Sequence, residues 1–232
     1  MRESLRRSAV SSLITLVVGM APAPTPIVVG ASVVGQTTDA SGFQPARWLS
    51  GSTPSLPSPN TIGSIGESVE LVVDTSGRVQ VMAAQATSGS SLLLSSVADW
   101  QFRPAIEFGT VVASHVLVAA IYRAPALYNT VAPTFPVDLA ERSRDIPFPA
   151  VAVPPEYPPR ALAGGVAIVE VLVGVDGGVR AARIVNSAPG FESAALTAAR
   201  LWSFQPAQRD GQRVSAYAYL VFGFRQPITT AR

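Results

Sequence analysis

The chain has 232 residues, a net charge of +2, 14% charged and 48% hydrophobic residues, and no cysteine. A disulfide scaffold, a zinc–cysteine site and a thiol nucleophile are therefore excluded. All 17 basic residues are arginine, and they are scattered rather than massed, so the electrostatic footprint of a nucleic-acid binder is missing.

In chain order, MRESLRR places Arg2, Arg6 and Arg7 ahead of a stretch from Ser8 to Thr38 with no charge. Its densest apolar run, Leu13 to Ala21, is followed by Pro22, Pro24 and Pro26. A charged start, a short apolar core and the small-residue sequence at 21–23 read as a secretory signal peptide. Uncleaved, residues 1–35 read as a proline-kinked membrane anchor, because Ile27 to Val34 is apolar again. In both readings the arginines are expected to stay cytoplasmic and the rest of the chain to be exported. Residues 36–53 are rich in Gln, Thr, Ser, Gly and Pro and read as a linker.

Two later stretches share one frame. WQFRPAIEFGTVV at 100–112 and WSFQPAQRDGQRV at 202–214 both fit W-x-F-x-P-A-x-x-x-G-x-x-V. Upstream of the second, Val169, Val171 and Val173 alternate with Ile168, Glu170 and Leu172, the period of a strand. Asp176, Gly177 and Gly178 mark a tight turn with residues at positive φ, and VRAARIV returns antiparallel with an expected bulge. Ala195, Ala199 and Trp202 share one helical face, after a loop at Ser187 to Gly190 placed to cap the helix. VSAYAYLVFGFR is a third strand, with Val214, Ala216, Ala218, Leu220, Phe222 and Phe224 on one face. The upstream copy has Val69, Leu71 and Val73, a stripe of Leu93, Val97 and Trp100, and a last strand ending at Arg123 where the other ends at Arg225.

The expected fold is α+β: two tandem small domains at 54–126 and 149–228, joined by a linker at 127–148. Each is a three-stranded antiparallel sheet packed with one or two helices. In that frame Trp100 and Trp202 close a helix on the sheet, and Phe102 and Phe204 enter the core. Pro104 and Pro206 stop the chain from continuing helical, and Gly109 and Gly211 turn it into the last strand. All eight are structural.

Chemistry is sparse. His115 is the single histidine, too little for a metal cluster or a hydrolase triad. Glu70 and Glu170 take equivalent strand positions, expected to face outward and to be solvated or paired with arginine. No cofactor site is expected. A three-stranded sheet leaves unpaired main chain at its edges. The outward face of the final strand, Ser215, Tyr217, Tyr219 and Val221, serves either as a docking surface or as the surface that meets the other repeat.

The second repeat resembles the C-terminal domain of TonB-type energy transducers. The resemblance rests on Pro155, Tyr157 and Pro158, Gly165, Asp176 with Gly177 and Val179, Ser187, Ala194 to Leu196, Trp202, Phe204, Pro206, Ala207, Gly211 and Val214. The first repeat is a weaker match, entered through ARWLSGSTPSLP, with Leu56 where tyrosine is expected. The resemblance implies a non-enzymatic protein that binds an extended peptide of an outer-membrane receptor by strand addition along 214–225 and couples to an inner-membrane proton-channel complex. Its partner-binding residues are then Tyr157, Ser215, Tyr217, Tyr219, Val221 and Arg225. The alternative is an exported scaffold whose repeats form a closed pseudo-dimer.

Overall fold

The computed structural model describes residues 42–86, 91–125, 133, 135 and 143–227. The signal peptide or anchor read at 1–35 lies outside the described residues, as does most of the expected linker 127–148. The first half runs β1 (Phe43–Gln44), β2 (Arg47–Ser50), β3 (Ile65–Val73), β4 (Val79–Ala86), α1 (Leu94–Val97), β5 (Gln101–Arg103), β6 (Ala105–Glu107), β7 (Thr110–Val112) and β8 (Ser114–Tyr122). The second runs β9 (Phe148–Val151), β10 (Gly165–Val173), β11 (Val179–Ser187), α2 (Glu192–Arg200), β12 (Ser203–Gln205), β13 (Ala207–Arg209), β14 (Gln212–Val214) and β15 (Ala216–Phe224). Apart from β1, both halves use the same elements in the same order.

The molecule is mostly β with two helices among the described residues, and its long strands join in a single six-stranded sheet ordered β11-β10-β15-β8-β3-β4. This corrects the expectation of two separate three-stranded sheets. Within each half the strands are antiparallel, as expected, but β15 and β8 pair with each other in parallel, from Ala218 opposite Leu117 to Gly223 opposite Tyr122. The reason is written in those two strands, VLVAAIY and YLVFGF, which are apolar at consecutive positions instead of alternating. A strand of that kind is buried on both faces, the pattern of a central strand in a covered sheet. All described residues belong to one compact unit.

Two cores lie on opposite faces of the sheet. On one face Val69, Leu71, Val73, Leu93, Val97, Trp100 and Phe102 pack with Val116, Val118 and Ala120 of β8 and with Tyr219 and Val221 of β15. On the other, Val169, Val171, Val173, Ala195, Ala199, Trp202 and Phe204 pack with Leu220, Phe222 and Phe224 and with Leu117, Ala119 and Ile121 of β8. Each final strand thus gives one face to its own half and the other face to its neighbour. Parallel central strands with cores on opposite faces are related by a pseudo-twofold running along the strands. The pleat adds a slip: Val116 is the sequence counterpart of Ala218, yet Ala218 pairs with Leu117. Partners in a parallel ladder point to the same side, so halves turned face to face can pair only after moving one residue along.

The local devices match between halves. Trp100 donates from Nε1 to the Ser52 carbonyl at 2.9 Å, and Trp202 to the Val153 carbonyl at 3.0 Å. The amide of Phe102 donates to Gly77 O at 2.9 Å and that of Phe204 to Gly177 O at 2.8 Å. Gly77 and Gly177 have φ of 83° and 84°, and a Cβ on either would run into the carbonyl oxygen of Phe102 in β5 or Phe204 in β12. Gly178, expected to share the positive φ, does not. Phe108-Gly109 and Asp210-Gly211 each place two consecutive residues at positive φ, the geometry of a type I′ hairpin.

Two further expectations change. The linker expected at 36–53 contains β1 and β2, with Ala46 buried between them, because β2 pairs with β5 just as β9 pairs with β12. The α2 helix has Phe191 as its N-cap with no side-chain cap. The expected capping by Ser187 to Gly190 is replaced by Glu192, whose carboxylate accepts from the Gly190 amide at 2.9 Å and sits at the positive end of the helix. The expected bulges in the β10–β11 pair are present, at Ile168/Val169 and Leu172/Val173.

Candidate functional site: the seam between the halves

The residues expected to bind a partner lie mainly along β15, which is hydrogen-bonded on one edge to β10 and on the other to β8. The outward face read in the sequence is consequently covered by the first half. Tyr219 and Val221 are fully buried in the first half's core, while Tyr217 and Ser215 are half-buried at the open end of the seam. Of the two roles read for this face, the structure gives Tyr219 and Val221 the meeting of the two halves.

At the centre of the seam stands Glu170, 2% exposed, on the β10 face turned toward the first half. This corrects the outward, solvated placement and bears out the pairing with arginine. Arg47 of β2 donates to it from Nε at 2.9 Å and Nη2 at 2.6 Å, and Arg183 of β11 from Nε at 2.9 Å and Nη2 at 3.1 Å. Tyr219 donates its hydroxyl to the same carboxylate at 3.0 Å and accepts from the Trp48 amide at 2.8 Å. Bidentate guanidinium pairs are among the strongest charge-assisted hydrogen bonds. Here they satisfy a carboxylate that would otherwise be costly to bury.

The surroundings shift the titrating groups. Burial pushes the Tyr219 phenol well above its ordinary value, and the Glu170 charge adds to this. Burial alone would lower Arg47, but its hydrogen bond to Glu170 and the charge of that carboxylate outweigh it and hold the guanidinium above its usual value. Arg47 also lies over the Tyr217 ring, 4.3 Å from its centroid, and donates to the Tyr217 hydroxyl at 3.0 Å. Trp100 and Phe102 meet the Tyr219 ring edge-on at 6.4 and 5.4 Å.

The first-half counterpart, Glu70, is also buried. It takes Nδ1 of His115 at 2.8 Å and the Ser143 amide at 3.3 Å in place of two arginines. His115 lies at the mouth of a small cleft it shares with Asp145, Arg209, Ser215 and Tyr217. Among the described residues no group of acidic side chains and histidine is placed to hold a metal ion.

The two terminal arginines cross between halves. Arg225, at the end of β15, donates to the carbonyls of Ser58 at 3.2 Å, Pro59 at 3.3 Å, Gly63 at 3.4 Å and Thr61, all in the first half's lead-in. Arg123, at the end of β8, donates from Nε to Pro155 O at 3.1 Å in the second half's lead-in. Burial lowers both guanidiniums from their ordinary value. Tyr157 donates its hydroxyl to Ala163 O at 2.8 Å, and its ring meets Phe191 edge-on at 6.0 Å, so it fastens its own loop.

Of the six expected partner-binding residues, the structure brings Tyr217 and Tyr219 to one network, with Val221 behind them and Ser215 beside them. Arg225 sits at the far end of the same strand, and Tyr157 lies away on the second half's own loop. Sequence reasoning missed Arg47, Trp48 and Arg183. The available signal was an Arg-Trp pair in a stretch otherwise of linker composition, together with a glutamate at the same place in both repeats. What the arrangement does chemically is hold two halves together through the β15–β8 ladder, shared apolar cores, a buried ion cluster and the crossing arginines.

Residues 153–225, about a third of the chain, match the family model described as Gram-negative bacterial TonB protein C-terminal. No curated protein matches the chain. The matched segment begins after β9 and ends one residue past β15, so it covers β10 through β15 of the second half.

Proposed function

With residues 153–225 carrying a TonB C-terminal domain, we propose that this protein is an exported, TonB-like component of the cell envelope in which the matched domain is closed by the chain's own first half. It works by binding, in keeping with a family that is non-enzymatic and associated with transport. In this reading residues 46–125 are a second, diverged copy of the domain, and β8 occupies the edge of β15 that an extended peptide would otherwise take. The protein is an interaction module or scaffold on the periplasmic side, tethered through residues 1–35 where these are retained. Its neighbours are other envelope proteins, the outer-membrane receptors and inner-membrane proton-channel complex among them. Among the described residues no helix is long and apolar enough to cross a membrane.

The observation that carries this reading is the parallel ladder from Ala218 to Gly223 against β8, which leaves β15 no free edge. Receptor-peptide capture along 214–225 is a second reading, favoured by the family match, and it requires β8 to leave. Amide exchange and chemical shifts on the full-length protein in mild detergent separate the two. Closure predicts slow exchange in both β8 and β15 before any partner is added, and unshifted 214–225 amides on titration with receptor N-terminal peptides. Shifts along 214–225 accompanied by lost protection in β8 would overturn it in favour of capture.

A further inference from the structure

Pairing of β8 with β15 leaves the six-stranded sheet with two outer edges among the described residues, β11 and β4. They differ in what they expose. Strand β11 carries Arg180 and Arg183 and is interrupted by two bulges, features that blunt an edge against further pairing. Arg180 pairs with Asp176 at 2.6 Å, and Arg183 is held by Glu170. Strand β4 is VQVMAAQA: eight residues with no charge, no proline and a single bulge, between Glu70 and Leu71 on its partner. Met82 is the residue left over at that bulge, and it is 56% exposed. Val81 beside it is 36% exposed, and Leu94, which opens the helix that follows, 38%.

An uncovered edge of this kind invites main-chain pairing. The lack of charge selects the occupant. A charged peptide would find no counter-ion on β4, whereas a neutral strand meets its own copy with no like charges opposed. In an antiparallel self-pair, a dyad near the strand's midpoint brings the exposed Val81 and Met82 of both copies together, which covers the apolar residues this edge leaves in water. Two β11 strands paired in the same way would bring four arginines together. We propose that β4 pairs antiparallel with β4 of a second copy of this chain, giving a twofold dimer with one continuous twelve-stranded sheet. The inference stands on the β4 edge alone and is independent of the reading of β15.

The chain has no cysteine, so single cysteines at each position from Val79 to Ala86 report on pairing without background. In the full-length protein in mild detergent, mild oxidation should give disulfide dimers that peak at one position or at alternate positions of one face and fall away on either side, because only residues near the dyad approach within disulfide range. Ala181→Cys on β11 should give none. In sedimentation of the parent protein up to about 100 µM, Ala84→Lys should weaken self-association at least tenfold, roughly 1.4 kcal/mol, and Ala181→Lys should not. A flat, low cross-linking profile along β4, equal cross-linking at Ala181→Cys, disulfides formed only with other proteins, or a monomer at the highest concentration would each overturn the proposal.

Discussion

The helix of the first half is a single turn, Leu94–Val97, where that of the second half runs Glu192–Arg200. A carboxylate fills the difference. Glu67, wholly buried, accepts from the amides of Leu92 at 2.9 Å and Leu93 at 3.0 Å and from the Ser91 hydroxyl at 3.0 Å, fixing the start of that short turn. Its counterpart Ala167 belongs to the second apolar core, together with Phe191 and the buried alanines of α2. A long Ala-rich helix docks by its apolar face, while one turn of helix is too short to persist unaided and is held by hydrogen bonds from below. At the seam the contrast reverses: Glu170 of the second half gathers two arginines and a tyrosine, and Glu70 of the first a histidine and an amide. The first half commits a buried carboxylate to the start of its helix, and the second commits one to the seam.

That comparison is broken or sharpened most forcefully at the two tryptophans. Trp100→Ala and Trp202→Ala each empty a fully buried indole site and should cost about 3–5 kcal/mol. Because the halves share one sheet, both variants should shift a single unfolding transition monitored by denaturant titration. Two separate transitions, each sensitive to one substitution, would show halves that fold independently.

Next in size are the carboxylates. Glu170→Gln leaves Arg47 and Arg183 facing a neutral amide inside the seam, and a cost of about 2–4 kcal/mol is expected, toward the lower part of the range for a broken buried pair because both guanidiniums reach solvent. Glu70→Gln should cost about 1 kcal/mol, the order of one hydrogen bond. Equal losses in the two variants would remove the asymmetry between halves.

A further effect is seen only in alkali. Burial raises both Tyr219 and its first-half analogue in burial, Tyr122, above the ordinary phenol value. Each phenol holds its proton more tightly folded than unfolded, so its contribution is fully present below about pH 10 and declines as pH rises beyond that, by about 1.4 kcal/mol per pH unit and per group. Denaturation midpoints measured from pH 8 to 11 should fall more steeply in the parent than in Tyr219→Phe or Tyr122→Phe. A parent profile no steeper than theirs would mean that the phenols are not buried.

Much of each half was legible in the chain. The alternation of Val169, Val171 and Val173, the helical stripe ending at Trp202, and the glycines of the hairpins all act within a few residues of themselves, and local periodicity reports them directly. The short strands β2, β5, β9 and β12 were not legible, since three or four residues carry too little pattern and their pairing joins segments about fifty residues apart. The roles of Ser215, Tyr217, Tyr219 and Val221 stood open between docking and mutual burial for the same reason.

What the amino-acid order determined alone is the repeated unit: Trp-x-Phe-x-Pro-Ala and its turns need particular side chains and backbone angles, whatever surrounds them. Which edge meets which was decided by the tertiary structure. The strands VLVAAIY and YLVFGF announce that both faces are to be buried, yet an edge hydrogen bond is made of main chain, common to every residue, and cannot name its partner. Only when Arg47 reaches Glu170 and Arg225 reaches the carbonyls at 58–63 does the parallel register between β8 and β15 become the one that satisfies the buried charges.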